Sequence, residues 1–101
     1  MTDYAAIGRK KMLEIDGEAG VKVEETLNDI CPDLARYLIE YSFGEIYARE
    51  TIDNRTKEQA VVAALTAMGT AAPQLKVHIH AALHVGCTPE EIREIIIQMS
   101  G

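Results

Sequence analysis

Apolar residues recur three and four apart along most of the chain, and glycine, proline and short polar stretches interrupt them. This pattern predicts helices throughout. The first runs from about Thr2 to Glu14, with Ile7, Met12 and Leu13 set among Arg9, Lys10 and Lys11, and Asp16 to Gly20 breaks it. Val23, Leu27 and Ile30 mark a short second helix from Val21 to Ile30. Pro32 fits the first turn of a third, whose apolar edges are Leu34, Leu38, Tyr41 and Ile39, Phe43, Ile46. This helix fades near Arg49.

Asp53 and Asn54 read as the N-cap of a fourth helix, about Arg55 to Met68. After its first turn it is apolar all round, which predicts a central, buried element. Gly69 would end it in the left-handed conformation. A fifth helix begins around Pro73, runs to about Val85 and stops at Gly86. The sixth has the clearest start: Thr88-Pro89-Glu90-Glu91 is a capping box, followed by the stripe Ile92, Ile95, Ile96 and Met99. That capped start outweighs the strand preference of Ile95-Ile96-Ile97. The expected class is all-α, with about six helices in a single domain over residues 1–101. The last apolar face has no partner within the sequence, so it fits either a truncated chain or packing on another subunit.

Composition narrows the function classes. With 101 residues, one domain is the prior. Sixteen acidic against ten basic residues give a net charge of -6, a poor match for a phosphate backbone, so no nucleic-acid partner is expected. Apolar residues at 48% exclude a disordered acidic tail. No apolar run reaches bilayer length, so no membrane partner is expected. Met1-Thr2-Asp3-Tyr4 reads as no secretory leader. Cys31 and Cys87 are too isolated for a disulfide framework, a CxxC pair or a zinc ribbon. A cytoplasmic protein with free thiols is expected, and its small aliphatic core makes oligomerisation a natural supplement.

Chemistry concentrates on the fifth helix, which carries His78, His80 and His84. His78 falls within the broad apolar stripe of Leu75, Ile79, Ala82 and Leu83. There it is either a functional neutral imidazole or a core histidine with a satisfied hydrogen bond. His80 and His84 lie on the other side near Lys76, one turn apart. They lack the glutamate of HExxH and a third ligand in register, so no metal is expected and a solvated or interface-facing pair is the simpler reading. Glu58 stands on the apolar face of the fourth helix ahead of Val61, Val62 and Leu65. It suits proton transfer, or it is an ordinary first-turn acid. Arg55 could pair with Glu58 or bind a carboxylate. Cys87, just before a helix N-terminus, is a candidate thiolate or a small buried hydrophobe, and Cys31 precedes Pro32 in the same way.

Phe43-Gly44-Glu45-Ile46-Tyr47-Ala48-Arg49, Asp53-Asn54-Arg55-Thr56-Lys57-Glu58, Ala63-Ala64-Leu65, Gln74 to Ile79 and Ala82 to Ile92 follow one another in the order and spacing of a known family. Together they resemble the carboxymuconolactone decarboxylase family over about Pro32 to Met99. The resemblance implies an alkylhydroperoxidase D-like helical core assembled as a homo-oligomer, commonly a hexamer built from dimers or trimers. It implies cofactor-free decarboxylation of γ-carboxymuconolactone, a small lactone carboxylate of aromatic catabolism. His78 matches the family histidine and would act as acid or donor, and Glu58 matches a family glutamate that would orient it or relay protons. Arg49 and Arg55 match basic positions that would seat carboxylates, and His80 is taken beside them as substrate-binding. Alkylhydroperoxidase D-like relatives imply an alternative, an antioxidant peroxide reductase built on Glu58, His78 and a CxxC pair. Thr70 to Val77 holds no cysteine, which leaves Cys87 as a single peroxidatic thiol, resolved by Cys31 or a small thiol. Family members usually continue beyond the position of Met99 into a final helix that these 101 residues do not include. A third reading is a non-enzymatic, ligand-binding oligomer on the same fold.

Overall fold

A computed structural model describes all residues, 1–101, and it is all-α. Its helices are α1 (Tyr4–Asp16), α2 (Glu18–Ile30), α3 (Pro32–Tyr37), α4 (Asn54–Met68), α5 (Ala72–His84) and α6 (Pro89–Ser100). α3 runs on directly into a π-wound segment, Leu38–Tyr47. Chain contacts gather into two compact units, Met1–Thr51 and Ile52–Gly101.

In the first unit, Asp3 caps α1 by accepting from the Ala6 amide at 3.0 Å. The break after α1 is shorter than the sequence predicts. Gly17 alone, at φ 57°, turns the chain, and Glu18 to Gly20 are already helical. Met12, Ile15, Ala35, Ile39 and Phe43 form the core. Gly20 of α2 is buried against Met12, so α2 approaches α1 through a missing side chain, while Val23 and Ile30 of its predicted apolar stripe are exposed.

The third helix departs most from its sequence pattern. An α-helix would bury Ile39, Phe43 and Ile46 on one edge. The segment instead winds at the wider π spacing over ten residues, although π-turns mostly occur singly. Ile39 and Phe43 stay inside, Gly44 joins them, and Ile46 is left exposed. The other predicted edge also faces outward at Leu34 and Tyr41. Two glycines account for the close approach to α1. A Cβ on Gly8 would overlap the Ile39 carbonyl oxygen, and one on Gly44 would lie 2.5 Å from the Tyr4 carbonyl oxygen. The backbones of α1 and the π-wound segment therefore meet almost without side chains between them. The Phe43 and Tyr47 rings stack at 5.1 Å beside this crossing.

The second unit follows its punctuation closely. Asp53 caps α4 by accepting from the Thr56 amide at 2.8 Å. Gly69 ends α4 at φ 71°. α5 begins with Ala72 and Pro73 and stops at His84, and Gly86 at φ 104° turns the chain into α6. Val62, Ala82, Cys87 and Ile92 form the buried core, flanked by Leu75, Ile79, Ile95 and Ile96. α4 is not buried all round as its composition predicts: within it only Glu58 and Val62 are fully enclosed, while Ala64, Ala67 and Met68 are exposed. Alanine is compatible with either environment, so an alanine-rich pattern does not fix how many faces are covered. No helix is long and apolar enough to cross a membrane.

The glycine crossing sets a stability test. Gly8→Ala forces two backbones apart, and overpacking of this kind costs about 1–3 kcal/mol or more. Urea denaturation should show a loss of at least that size. The expected contrast is Gly69→Ala, where nothing lies within 4 Å of the new methyl and only the left-handed backbone is penalised, at about 1–2 kcal/mol.

Candidate functional site

The apolar face of α4 carries one carboxylate. Glu58 has no exposed surface, and it sits one turn before Val62, which is equally buried. A buried carboxylate requires a donor or an opposite charge. α5 supplies one: His78 Nδ1 lies 2.8 Å from Glu58 Oε2, with the His78 side chain 19% exposed. Opposite an ionised carboxylate the Nδ1–H donates, which fixes the tautomer of a neutral ring and leaves Nε2 as its basic nitrogen. Glu58 Oε1 is enclosed and accepts no hydrogen bond. A buried oxygen with unused lone pairs is a strong local acceptor. Glu58 and His78 thus form a dyad whose inner end is enclosed and whose outer end reaches the surface.

Both residues extend from the same packed core. Val62 and Ala82, one turn beyond Glu58 and His78 respectively, pack together in the cluster that also encloses Cys87. The packing of α4 on α5 therefore sets the register of the dyad. A sliding of either helix by one turn, about 5.4 Å, would separate carboxylate from imidazole.

Cys87 is 4% exposed, and its Sγ lies 3.8 Å from the Arg55 carbonyl oxygen, a weak S–H donation. Of its two sequence readings, the geometry matches the small buried hydrophobe. Cys31 is an exposed free thiol of the first unit. His80 and His84 are both exposed on α5, away from the face that carries His78. Arg49 is exposed just beyond the π-wound segment, in the first unit.

Arg55 pairs with Glu91 of α6, rather than with Glu58 one turn along its own helix. Its Nη2 donates to both Glu91 oxygens at 2.9 Å. Glu91 also closes the capping box: Oε1 accepts from the Thr88 amide at 2.8 Å, while the Thr88 hydroxyl accepts from the Glu91 amide at 3.1 Å. The Arg55 stem passes Gly86, with Cδ 3.5 Å from where a Cβ would stand. One guanidinium therefore spans the start of α4, the α5–α6 turn and the first turn of α6. The Thr88 amide, and next the positive charge of Arg55, hold the Glu91 carboxyl below the usual carboxylate range. The Glu91 charge in turn raises Arg55. The sequence showed Glu91 only as a capping residue. Its second partner lies 36 positions away, beyond any helical spacing.

The family model for the carboxymuconolactone decarboxylase family matches residues 32–100. The chain is 29% identical over 94 residues to 4-carboxymuconolactone decarboxylase of Acinetobacter baylyi, covering 92% of this chain and 69% of that protein. It is 35% identical over 75 residues to an uncharacterized 15.0 kDa protein of Paracoccus denitrificans, covering 73% of this chain and 56% of that one. Similarity to peroxisomal protein 2 of Saccharomyces cerevisiae is 26% over 88 residues, covering 87% of this chain and 31% of the yeast protein.

Two measurements test the site. Glu58→Ala removes the buried partner of His78 and leaves a cavity, with an expected loss of about 2–4 kcal/mol in urea denaturation. Glu58→Gln should lose less, because an amide oxygen still accepts from Nδ1–H. The second test is pH dependence. Hydrogen bonding with Thr56, through its side chain and then its backbone amide, lowers the Asp53 carboxyl, and the Thr88 amide lowers that of Glu91. Their stabilisation is complete above the ordinary carboxylate values of about 3.9–4.3 and is lost as pH falls through their lower folded values. A stability profile of Asp53→Asn should converge on wild type in that acidic window and diverge from it at neutral pH.

Proposed function

The chain belongs to the carboxymuconolactone decarboxylase family, and from that premise we propose that it is a cofactor-free lyase acting on a small unsaturated lactone carboxylate, of the γ-carboxymuconolactone type. The observation that carries this reading is the 2.8 Å contact between the enclosed Glu58 and His78. The name of the Acinetobacter relative is consistent with it.

The chemistry demands little else. Breaking the bond between the substrate carbon and its carboxylate releases carbon dioxide. The electron pair moves through the conjugated system onto the lactone carbonyl oxygen and returns to carbon as that carbon takes up a proton. No oxidant or reductant is needed. The reaction requires a donor for the developing oxyanion or for carbon, and a fixed positive charge to hold the substrate in place. In this reading, His78 acts as the imidazolium: Nε2–H delivers the proton to carbon and leaves the neutral Nδ1–H ring, which regains a proton from solvent, while Glu58 orients the ring through Nδ1 and stabilises the imidazolium before transfer. Arg55 is the carboxylate seat within the same unit. The apolar core behind the dyad keeps bulk water from its inner end, which strengthens these interactions.

Burial of Cys87 weighs against peroxide reduction. A peroxidatic thiol works as an accessible thiolate, and this one is 4% exposed among aliphatic side chains. The reading also includes a cytoplasmic homo-oligomer, a trimer or hexamer. Large apolar side chains left exposed support it: Ile30 at 75%, Tyr41 at 58% and Ile97 at 60%.

Turnover of γ-carboxymuconolactone, followed by carbon dioxide release, tests the proposal. Wild type should release carbon dioxide, and His78→Ala should lower kcat by about 10²–10⁴-fold, the range for loss of a general acid, with an unchanged helical spectrum. Cys87→Ser should retain turnover. Release that is indifferent to His78 would exclude the dyad, and peroxide consumption that tracks Cys87 would replace the lyase with a thiol reductase.

A further inference from the structure

Arg55 is the proposed seat for a substrate carboxylate, yet a carboxylate already occupies it. Both oxygens of Glu91 lie 2.9 Å from Arg55 Nη2. Both side chains remain accessible, Arg55 at 46% and Glu91 at 38%, so an incoming anion can reach the pair without opening the core. Glu91 does not depend on Arg55 for its own place, because the Thr88 amide holds Oε1 at 2.8 Å within the capping box. Arg55 is likewise anchored apart from Glu91. Its backbone carbonyl receives the Cys87 thiol, and its stem lies against Gly86. Each partner is thus fixed by its own surroundings, and what joins them is an accessible ion pair.

We infer that Glu91 is an internal stand-in for the substrate carboxylate: substrate exchanges with Glu91 on the Arg55 guanidinium, and this exchange sets the apparent affinity for monocarboxylates and dicarboxylates. The inference rests on the lyase reading for Arg55 and names the residue that competes at that seat. Arg55 has donors besides Nη2, and a second carboxylate can engage the guanidinium side-on while Glu91 withdraws to the Thr88 amide. Glu91 is then a positioning residue. It occupies the guanidinium in the resting protein and weakens binding of any ligand without enough negative charge to displace it. Selectivity for carboxylates over neutral lactones follows, because only an anion compensates Arg55 for the partner it gives up.

Glu91→Gln isolates this role. Glutamine at the third helical position still completes a capping box, so the helix start is retained while the competing charge is removed. With γ-carboxymuconolactone as substrate, KM should fall about two- to fivefold, the range for release of an exposed ion pair, and kcat should stay within about twofold. A purely structural role for the pair would move KM the other way or lower kcat. The same exchange is measured without turnover by titrating a saturated γ-lactone carboxylate while following the Arg55 Nε–H signal by NMR. In wild type that signal should shift on titration. In Glu91→Gln it should shift at about two- to fivefold lower ligand concentration, and in Arg55→Met binding should be lost. Binding with this pattern but without carbon dioxide release would remove the lyase reading and leave the exchange standing. Equal or weaker binding by a folded Glu91→Gln, or a wild-type Arg55 signal that ignores the ligand, would overturn the exchange.

Discussion

A carboxylate with no exposed surface can remain in an apolar helix face only if another element brings it a hydrogen-bond donor. Glu58 imposes that condition on the second unit, and His78 meets it. The pairing ties the register of α4 to that of α5. It also gives Val62 and Ala82 their places one turn beyond, and with them the cluster that encloses Cys87 and Ile92. Core packing and site geometry are therefore not separate features here: the contact that satisfies a buried charge is also the one that orients an imidazole at the edge of that core.

A second polar arrangement completes the unit from outside. Thr88 starts α6, Glu91 returns to cap it, and Arg55 extends the cap to the beginning of α4. Gly86 allows the turn beneath the arginine stem through its positive φ. The buried pair and the accessible pair differ in kind. Glu58 is shielded and loses much if its partner is removed, whereas Glu91 is in contact with water and can be exchanged at small cost. Chemistry that moves protons suits the first pair, and recognition of a charged ligand suits the second.

The first unit follows a different rule. Its defining contact uses no side chain at all, since Gly8 and Gly44 let two helical backbones meet. Wide winding over Leu38–Tyr47 accompanies that approach and reassigns which residues face inward, so Ile46 ends outside although its spacing predicts the core.

Helix identity and helix ends were legible in the sequence because they are local. Asp53, Gly69 and the Thr88–Glu91 box act on neighbours within one turn, where composition and spacing carry the information. Glu58 and His78 were legible as chemistry on apolar stripes, but as two separate candidates with ordinary alternatives. Tertiary structure decided that they meet, that Arg55 turns to Glu91, that Cys87 is enclosed and that α4 buries one face only. It also decided the π winding, which lies against α1 where two glycines 36 positions apart let the backbones meet. The division has one physical cause. Caps and periodicity are properties of a few consecutive residues, whereas a partner's identity depends on which helix faces which, and that is fixed only when the whole unit buries its apolar surface at once.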